Sequence, residues 1–183
     1  MVFLTELSIQ CDLFLRSYNR LQTASEHWIN IDNGIDDGTN FSPLEILSEC
    51  TVCLSVMSAI NRLLFSGSTS KSKKRCQYLQ ELLDEICLDS INSKKVRNSW
   101  EHNDERMDKE LSNINEYTSL SYIHVSVKPP KENCCVLKRF DPVDLSISFL
   151  SDKIQLELCF NEIQFLKIKI DEVFIKLNEF KNA

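Results

Sequence analysis

Glycine and proline are scarce, at 3 and 4 in 183 residues, which excludes a collagen-like or low-complexity chain. Long apolar runs are also missing: none approaches the roughly 18 residues that suggest a membrane span. Basic residues do not dominate either, since 21 Lys and Arg against 27 Asp and Glu leave a net charge of −6. Domains coated in nucleic acid usually carry a basic excess, so an enzyme acting on RNA would have to rely on a local patch. There is no G-x-G-x-x-G, no P-loop and no H-E-x-x-H, and no Ser or Cys has a neighbouring His in a nucleophile context. The opening Met1-Val2-Phe3-Leu4-Thr5-Glu6 has neither a basic n-region nor a long apolar h-region, so the expected compartment is the reduced cytoplasm.

What is present is ordinary for a globular chain: 43% hydrophobic and 26% charged residues, at a length that suggests one domain. The eight cysteines do not read as a disulfide framework. Cys11, Cys50, Cys53, Cys87 and Cys159 fall inside apolar-periodic segments, where a free thiol behaves as a small hydrophobe. Cys50 and Cys53 have C-x2-C spacing but lie within a predicted helix without a second pair at zinc-ribbon distance. No metal site is expected.

Apolar spacing of three and four residues predicts a first helix over residues 4–23, through Leu7, Cys11, Phe14, Leu15, Tyr18 and Leu21. Residues 30–40 hold two of the three glycines together with Asp and Asn, and read as a loop. Ser42-Pro43-Leu44-Glu45 then opens a second helix, with Ser at the N-cap, Pro at the first helical position and Glu at the third. Its stripe is Leu47, Cys50, Leu54, Met57, Ile60 and Leu64. A third helix is predicted over 74–88, with Leu79, Leu82, Leu83 and Ile86 inward. A fourth spans 93–115, with Val96, Trp100, Met107, Leu111 and Ile114 as its stripe and polar Asn103 on the same side. Four such helices suit an up-down bundle.

The period then switches from 3.6 to 2. Ile123, Val125 and Val127 alternate with polar neighbours until Pro129-Pro130. A second strand is expected over 135–140. Leu145, Ile147 and Phe149, then Ile154, Leu156 and Leu158, suggest a hairpin turning at Ser151-Asp152. Ile163, Leu166, Ile170, Val173, Phe174 and Leu177 mark a closing helix. The expectation is a mainly α chain, α+β overall: a helical bundle over 1–115, a small antiparallel sheet over 119–160 and a helix over 161–181, together one domain over 1–183.

The most informative stretch is Val96-Arg97-Asn98-Ser99-Trp100-Glu101-His102-Asn103-Asp104-Glu105-Arg106. It resembles the R-x4-H signature of HEPN domains, in the form with Asn directly after the Arg; Arg97, Asn98 and His102 match it. Asp104-Glu105-Arg106 is similar to the acidic-acidic-Arg run of a bacterial subset of that family. The likeness covers about a dozen residues, with the helical order around them. It implies an up-down bundle with the strands as an insertion before the last helix. It also implies a homodimer with a composite cleft, cutting RNA without a metal or cofactor, in a toxin–antitoxin or antiviral-defence setting with an antitoxin or regulatory protein as a further partner. One departure stands out: where toxins paired with a minimal nucleotidyltransferase carry Tyr two residues after the His, this chain has Asp104, so silencing by adenylylation there is not open to it.

The chemistry can be weighed by itself. Cleaving RNA without a metal needs a base for the 2′-hydroxyl and donors for charge developing on phosphate. His titrates nearest neutral pH, and Arg offers a planar fork matched to phosphate oxygens. His102 is thus the candidate acid or base and Arg97 the phosphate clamp. Asn98, four residues before His102, would orient the imidazole or donate to phosphate. Glu101 would steady Arg97, and Lys94 and Lys95 would contact RNA. Glu101, Asp104 and Glu105 would repel RNA if all faced the cleft, or would instead raise the His102 pKa. At about 100° per residue, positions five apart lie roughly 140° from each other around a straight helix, so Arg97 and His102 do not share a face. Either the helix starts irregularly near Arg97 or a two-fold axis completes the site.

Plainer readings stand beside these. Arg97 and Glu101 also suit a surface i,i+4 pair, and His102 a cap or a partner for Asp104 or Glu105. Trp100 suits a core or dimer seam, and His27 and His124 suit structural roles. The cluster Lys71, Lys73, Lys74 and Arg75 reads as solvated surface. A non-catalytic module binding a nucleotide, RNA or protein is the rival within the same fold, and an unrelated helical scaffold is the rival outside it.

Overall fold

The structure is a computed structural model, and it describes residues 1–93, Val96, Asn98, Trp100, 103–112 and 119–182. It is mainly helical (63%), with a small four-stranded mixed sheet and a C-terminal helix.

Helix α1, Val2–Asp32, runs nine residues past the expected end. Its buried stripe continues from Leu21 through Ala24 to His27, and the first glycine with positive φ, Gly34 (φ 76°), comes only after Asp32. Helix α2, Pro43–Leu64, starts at the anticipated capping box: the Glu45 N–H donates to Ser42 Oγ at 3.2 Å and the Ser42 N–H to Glu45 Oε2 at 2.8 Å. Among the described residues, α2 is the one helix long and apolar enough to cross a membrane by length and composition. Its stripe from Ile46 to Leu64 is nevertheless buried, packing on α1, the next two helices and the sheet.

Helix α3, Ser70–Leu82, sits earlier than the expected 74–88. Thr69 and Ser72 cap it reciprocally, while left-handed Asp84 and Glu85 (φ 58° and 51°) end it. A one-turn helix, α4 (Asp89–Asn92), follows. Val96, Asn98 and Trp100 are helical, and α5 covers Asn103–Leu111. The expected 93–115 helix is too long at both described ends, since Ser93 is the extended C-cap of α4 and Ser112 is in a turn; its other residues lie outside the described residues.

Strands β1 (Ser119–Val125), β2 (Cys134–Asp141), β3 (Ser146–Phe149) and β4 (Asp152–Gln155) pair in the order β1-β2-β3-β4. The anticipated β3–β4 hairpin is present, with Phe149 opposite Asp152 and Ile147 opposite Ile154. The sheet is not wholly antiparallel as expected, because β1 and β2 are parallel, from Ser119 opposite Cys134 to Val125 opposite Phe140. Alternation fixes which face a residue takes but carries no information on strand direction. Residues 126–133 lead the chain back along β1 instead of turning tightly. An extended chain advances up to about 3.3–3.6 Å per residue, enough for those residues to return past a seven-residue strand.

Helix α6, Leu156–Asn182, begins inside the stretch expected to be strand. Leu156, Cys159, Ile163, Leu166, Ile170 and Val173 are all buried, at helical spacing, whereas Leu158 is 53% exposed. The period-2 reading of Leu156 and Leu158 therefore gives way to period 3.6. Val125, Phe140, Ile147, Phe149 and Ile154 from the sheet share one buried cluster with α1, α2 and α6.

Candidate functional site

Of the residues singled out in the sequence, Lys94, Lys95, Arg97, Glu101 and His102 lie outside the described residues. Around them, Val96 and Trp100 are 2% and 7% exposed. Asn98, between these two, is exposed and helical, which is the phase expected when positions four apart share the buried face.

Trp100 is anchored from two sides. Its Nε1–H donates to Thr51 Oγ1 on α2 at 3.3 Å. On the other side the Lys138 ammonium of β2 lies 4.4 Å from the Trp100 ring centroid and 5.2 Å from that of Tyr122. Lys138 is buried, at 6% exposure, and an ammonium removed from water is held favourably by the negative faces of aromatic rings. Trp100 thus packs between α2 and the sheet, as the core reading of its stripe anticipated.

Asp104 and Glu105 are exposed in the first turn of α5, where carboxylates suit the positive end of the helix dipole. Arg106 does not point into a cluster with them: its Nη1 pairs with Asp152 Oδ2 on β4 at 2.5 Å. Upstream, both oxygens of the Glu162 carboxylate on α6 accept backbone N–H groups of α4, from Ser90 at 2.8 Å and Ile91 at 3.0 Å. A side chain 71 and 72 residues away thus caps the segment that leads into the motif stretch. Sequence reasoning missed both Lys138 and Glu162, because a lysine in a strand and a glutamate on a helix carry no local mark of a distant partner.

His27 is buried on α1. Its Nδ1–H donates to Asp37 Oδ1 at 2.7 Å, with Thr39 Oγ1 also 2.7 Å from that nitrogen. The Thr39 hydroxyl, then His27 and the Thr39 N–H, hold the Asp37 carboxyl well below the usual carboxylate range. The cluster ties the loop after α1 back to the helix, a structural role. His124 donates Nε2–H to the Lys128 carbonyl at 3.2 Å. Cys50 and Cys53 are buried in α2, and burial drives both thiols up in pKa. No group of three metal-ligating side chains forms among the described residues.

No protein-family model, curated protein or solved structure matches the chain.

Proposed function

We propose that the chain is a HEPN-like, metal-independent endoribonuclease that works as a homodimer in the reduced cytoplasm, as a toxin or antiviral effector. The observation that carries this reading is the R-x4-H spacing of Arg97 and His102 in a stretch whose buried anchors, Val96 and Trp100, flank a solvent-facing Asn98. Positioning a catalytic pair requires fixed neighbours, and the burial of Val96 and Trp100 supports the reading on that ground.

In the proposed reaction, the His102 imidazole takes the proton of a 2′-hydroxyl. The freed 2′-oxygen attacks the adjacent phosphorus, and the bond from phosphorus to the 5′-oxygen breaks. That oxygen leaves with a proton from imidazolium, giving a 2′,3′-cyclic phosphate and a 5′-hydroxyl. Arg97 offsets the extra negative charge on the phosphoryl oxygens, Asn98 orients the imidazole, and Lys94 and Lys95 hold the RNA. Glu101 steadies the guanidinium, while Asp104 and Glu105 favour the charged form of His102. A second copy completes the cleft, and an antitoxin or regulatory protein restrains the activity.

The test is RNA cleavage in EDTA. Wild type is expected to cut, and Arg97→Ala and His102→Ala each to lose about a hundredfold or more, the usual scale of acid–base catalysis. Variants that cut as fast as wild type refute the assigned roles. A wild type that neither cuts RNA nor arrests growth leaves the non-catalytic binding module as the better account, and a monomer at micromolar concentration in sedimentation removes the shared cleft.

A further inference from the structure

The cation cluster Lys71, Lys73, Lys74 and Arg75 has no part in the proposed reaction, yet it borders a built feature. Between the end of α2, the 65–69 turn and the start of α3 lies an open groove of about 440 Å³. Its polar lining is Arg62, Arg75, Ser66, Ser68 and Ser72, with Glu6 as its carboxylate.

The groove is fixed in shape. The Arg75 Nη2–H donates to the Arg62 carbonyl at 2.8 Å, and the Arg62 Nη1–H donates to Ser58 Oγ at 2.8 Å. The Arg75 guanidinium also lies 5.4 Å from the Phe3 ring centroid. Between Ser66 and Ser68, Gly67 lets the turn close on α3: a Cβ there would meet the Lys73 backbone nitrogen at 2.6 Å.

Its charge is not neutralised from within. Among the described residues, none of Arg62, Lys71, Lys73, Lys74 and Arg75 forms an ion pair within 4.0 Å. Arg75 Nε is shielded from solvent and has no hydrogen-bond partner. The Glu6 carboxylate accepts from Gln10 Nε2 at 2.7 Å and keeps its negative charge, so two guanidiniums face one carboxylate in the lining. Two guanidiniums with spare donors converge on a groove beside three lysines, in a protein of net charge −6. Guanidinium forks match phosphate oxygens in shape and charge.

We propose that this groove binds a phosphate ester, with Arg62 and Arg75 clamping the phosphoryl oxygens and Ser68 adding a hydroxyl. A mononucleotide and the backbone of single-stranded RNA are two sources of that chemistry. The assignment stands independently of whether RNA is cut. The full chain is titrated against a fluorescein-labelled 2′-O-methyl oligouridine, which has no 2′-hydroxyl to attack phosphorus, and against 5′-UMP. Arg62→Gln/Arg75→Gln is expected to weaken binding about tenfold or more. If the oligomer is the ligand, each phosphate no longer neutralised lowers the slope of log K against log salt by about 0.7, so the double variant, which frees the one clamped phosphate, loses about 0.7. A site for 5′-UMP that the double variant loses, with no tighter binding of the oligomer, assigns the groove to mononucleotides. Lys71→Gln/Lys73→Gln/Lys74→Gln, on exposed side chains, serves as the variant that keeps the fold and is expected to weaken the oligomer severalfold. Both probes are read by binding alone, between wild type and Arg62→Gln/Arg75→Gln, with no cleavage required, so a failure of the nuclease reading leaves this result intact. Absence of binding to either probe, or equal binding by wild type and a folded Arg62→Gln/Arg75→Gln protein, overturns the proposal.

Discussion

Replacing Glu162 by Gln removes a negative charge from α6 while keeping the side chain's length, and the consequence can be worked from two distances. The carboxylate accepts N–H groups from Ser90 at 2.8 Å and Ile91 at 3.0 Å. Hydrogen bonds to a charged group contribute about 1.5–3 kcal/mol each, and the half-buried setting of Glu162 argues for the lower end. The amide of Gln has one acceptor oxygen, so one bond is lost and the other falls to the neutral scale of about 1 kcal/mol. The expected cost is about 2 kcal/mol. For a chain of this size, that corresponds to a fall in Tm of roughly 4–8 °C. Thermal and urea unfolding measure it, and hydrogen exchange at the Ser90 and Ile91 amides shows whether the loss is local. Glu157→Gln, on an exposed carboxylate of the same helix, is the control and is expected to stay within about 0.5 kcal/mol. If Glu162→Gln melts within about 1 °C of wild type, with unchanged exchange at both amides, the capping argument fails.

Two further outcomes follow from the titratable groups. Asp37 is held low in pKa by the Thr39 hydroxyl first, then by His27. A depressed carboxylate stabilises the fold above its unfolded pKa of about 3.9, and that stabilisation fades as pH falls through the folded value. The stability gap between wild type and Asp37→Asn in urea titrations is therefore expected to be full at pH 7 and to narrow below about pH 4; a gap independent of pH would contradict the cluster's geometry. For the thiols, burial pushes Cys11 and Cys159 up to about 12 and also raises Cys50 and Cys53. At pH 8 a thiol reagent is expected to label Cys87, Cys134 and Cys135 in the native protein, slowed at Cys87 by its hydrogen bond to Asp89 and at Cys135 by partial burial, and buried Cys11, Cys50, Cys53, Cys76 and Cys159 only after denaturant. Rapid labelling of all eight cysteines in the native protein would contradict this burial.

Local chemistry was legible in the chain wherever neighbours in sequence are partners in space. The capping box at Ser42 and Glu45, the stripes of α1, α2 and α6, the β3–β4 hairpin and the inward side of Trp100 all follow from periods of 3.6 and 2 or from bonds three residues apart. What the sequence left open, or put in the wrong place, depended on contacts it does not encode locally. The end of α1 was set by His27 finding Asp37 and Thr39 across a loop. The end of α3 came from two non-glycine residues at positive φ, a conformation propensity argues against. The start of α6 at Leu156 came from a core that rewards helical spacing over alternation. The parallel pairing of β1 with β2 depended on where the chain returned, since a pleated strand presents the same faces in either direction. The motif around Arg97 and His102 was read from sequence alone. The seating of Trp100 by Lys138, the capping of α4 by Glu162 and the convergence of Arg62 and Arg75 on one groove were decided by tertiary structure, because a charge far along the chain has no partner until packing brings one to it.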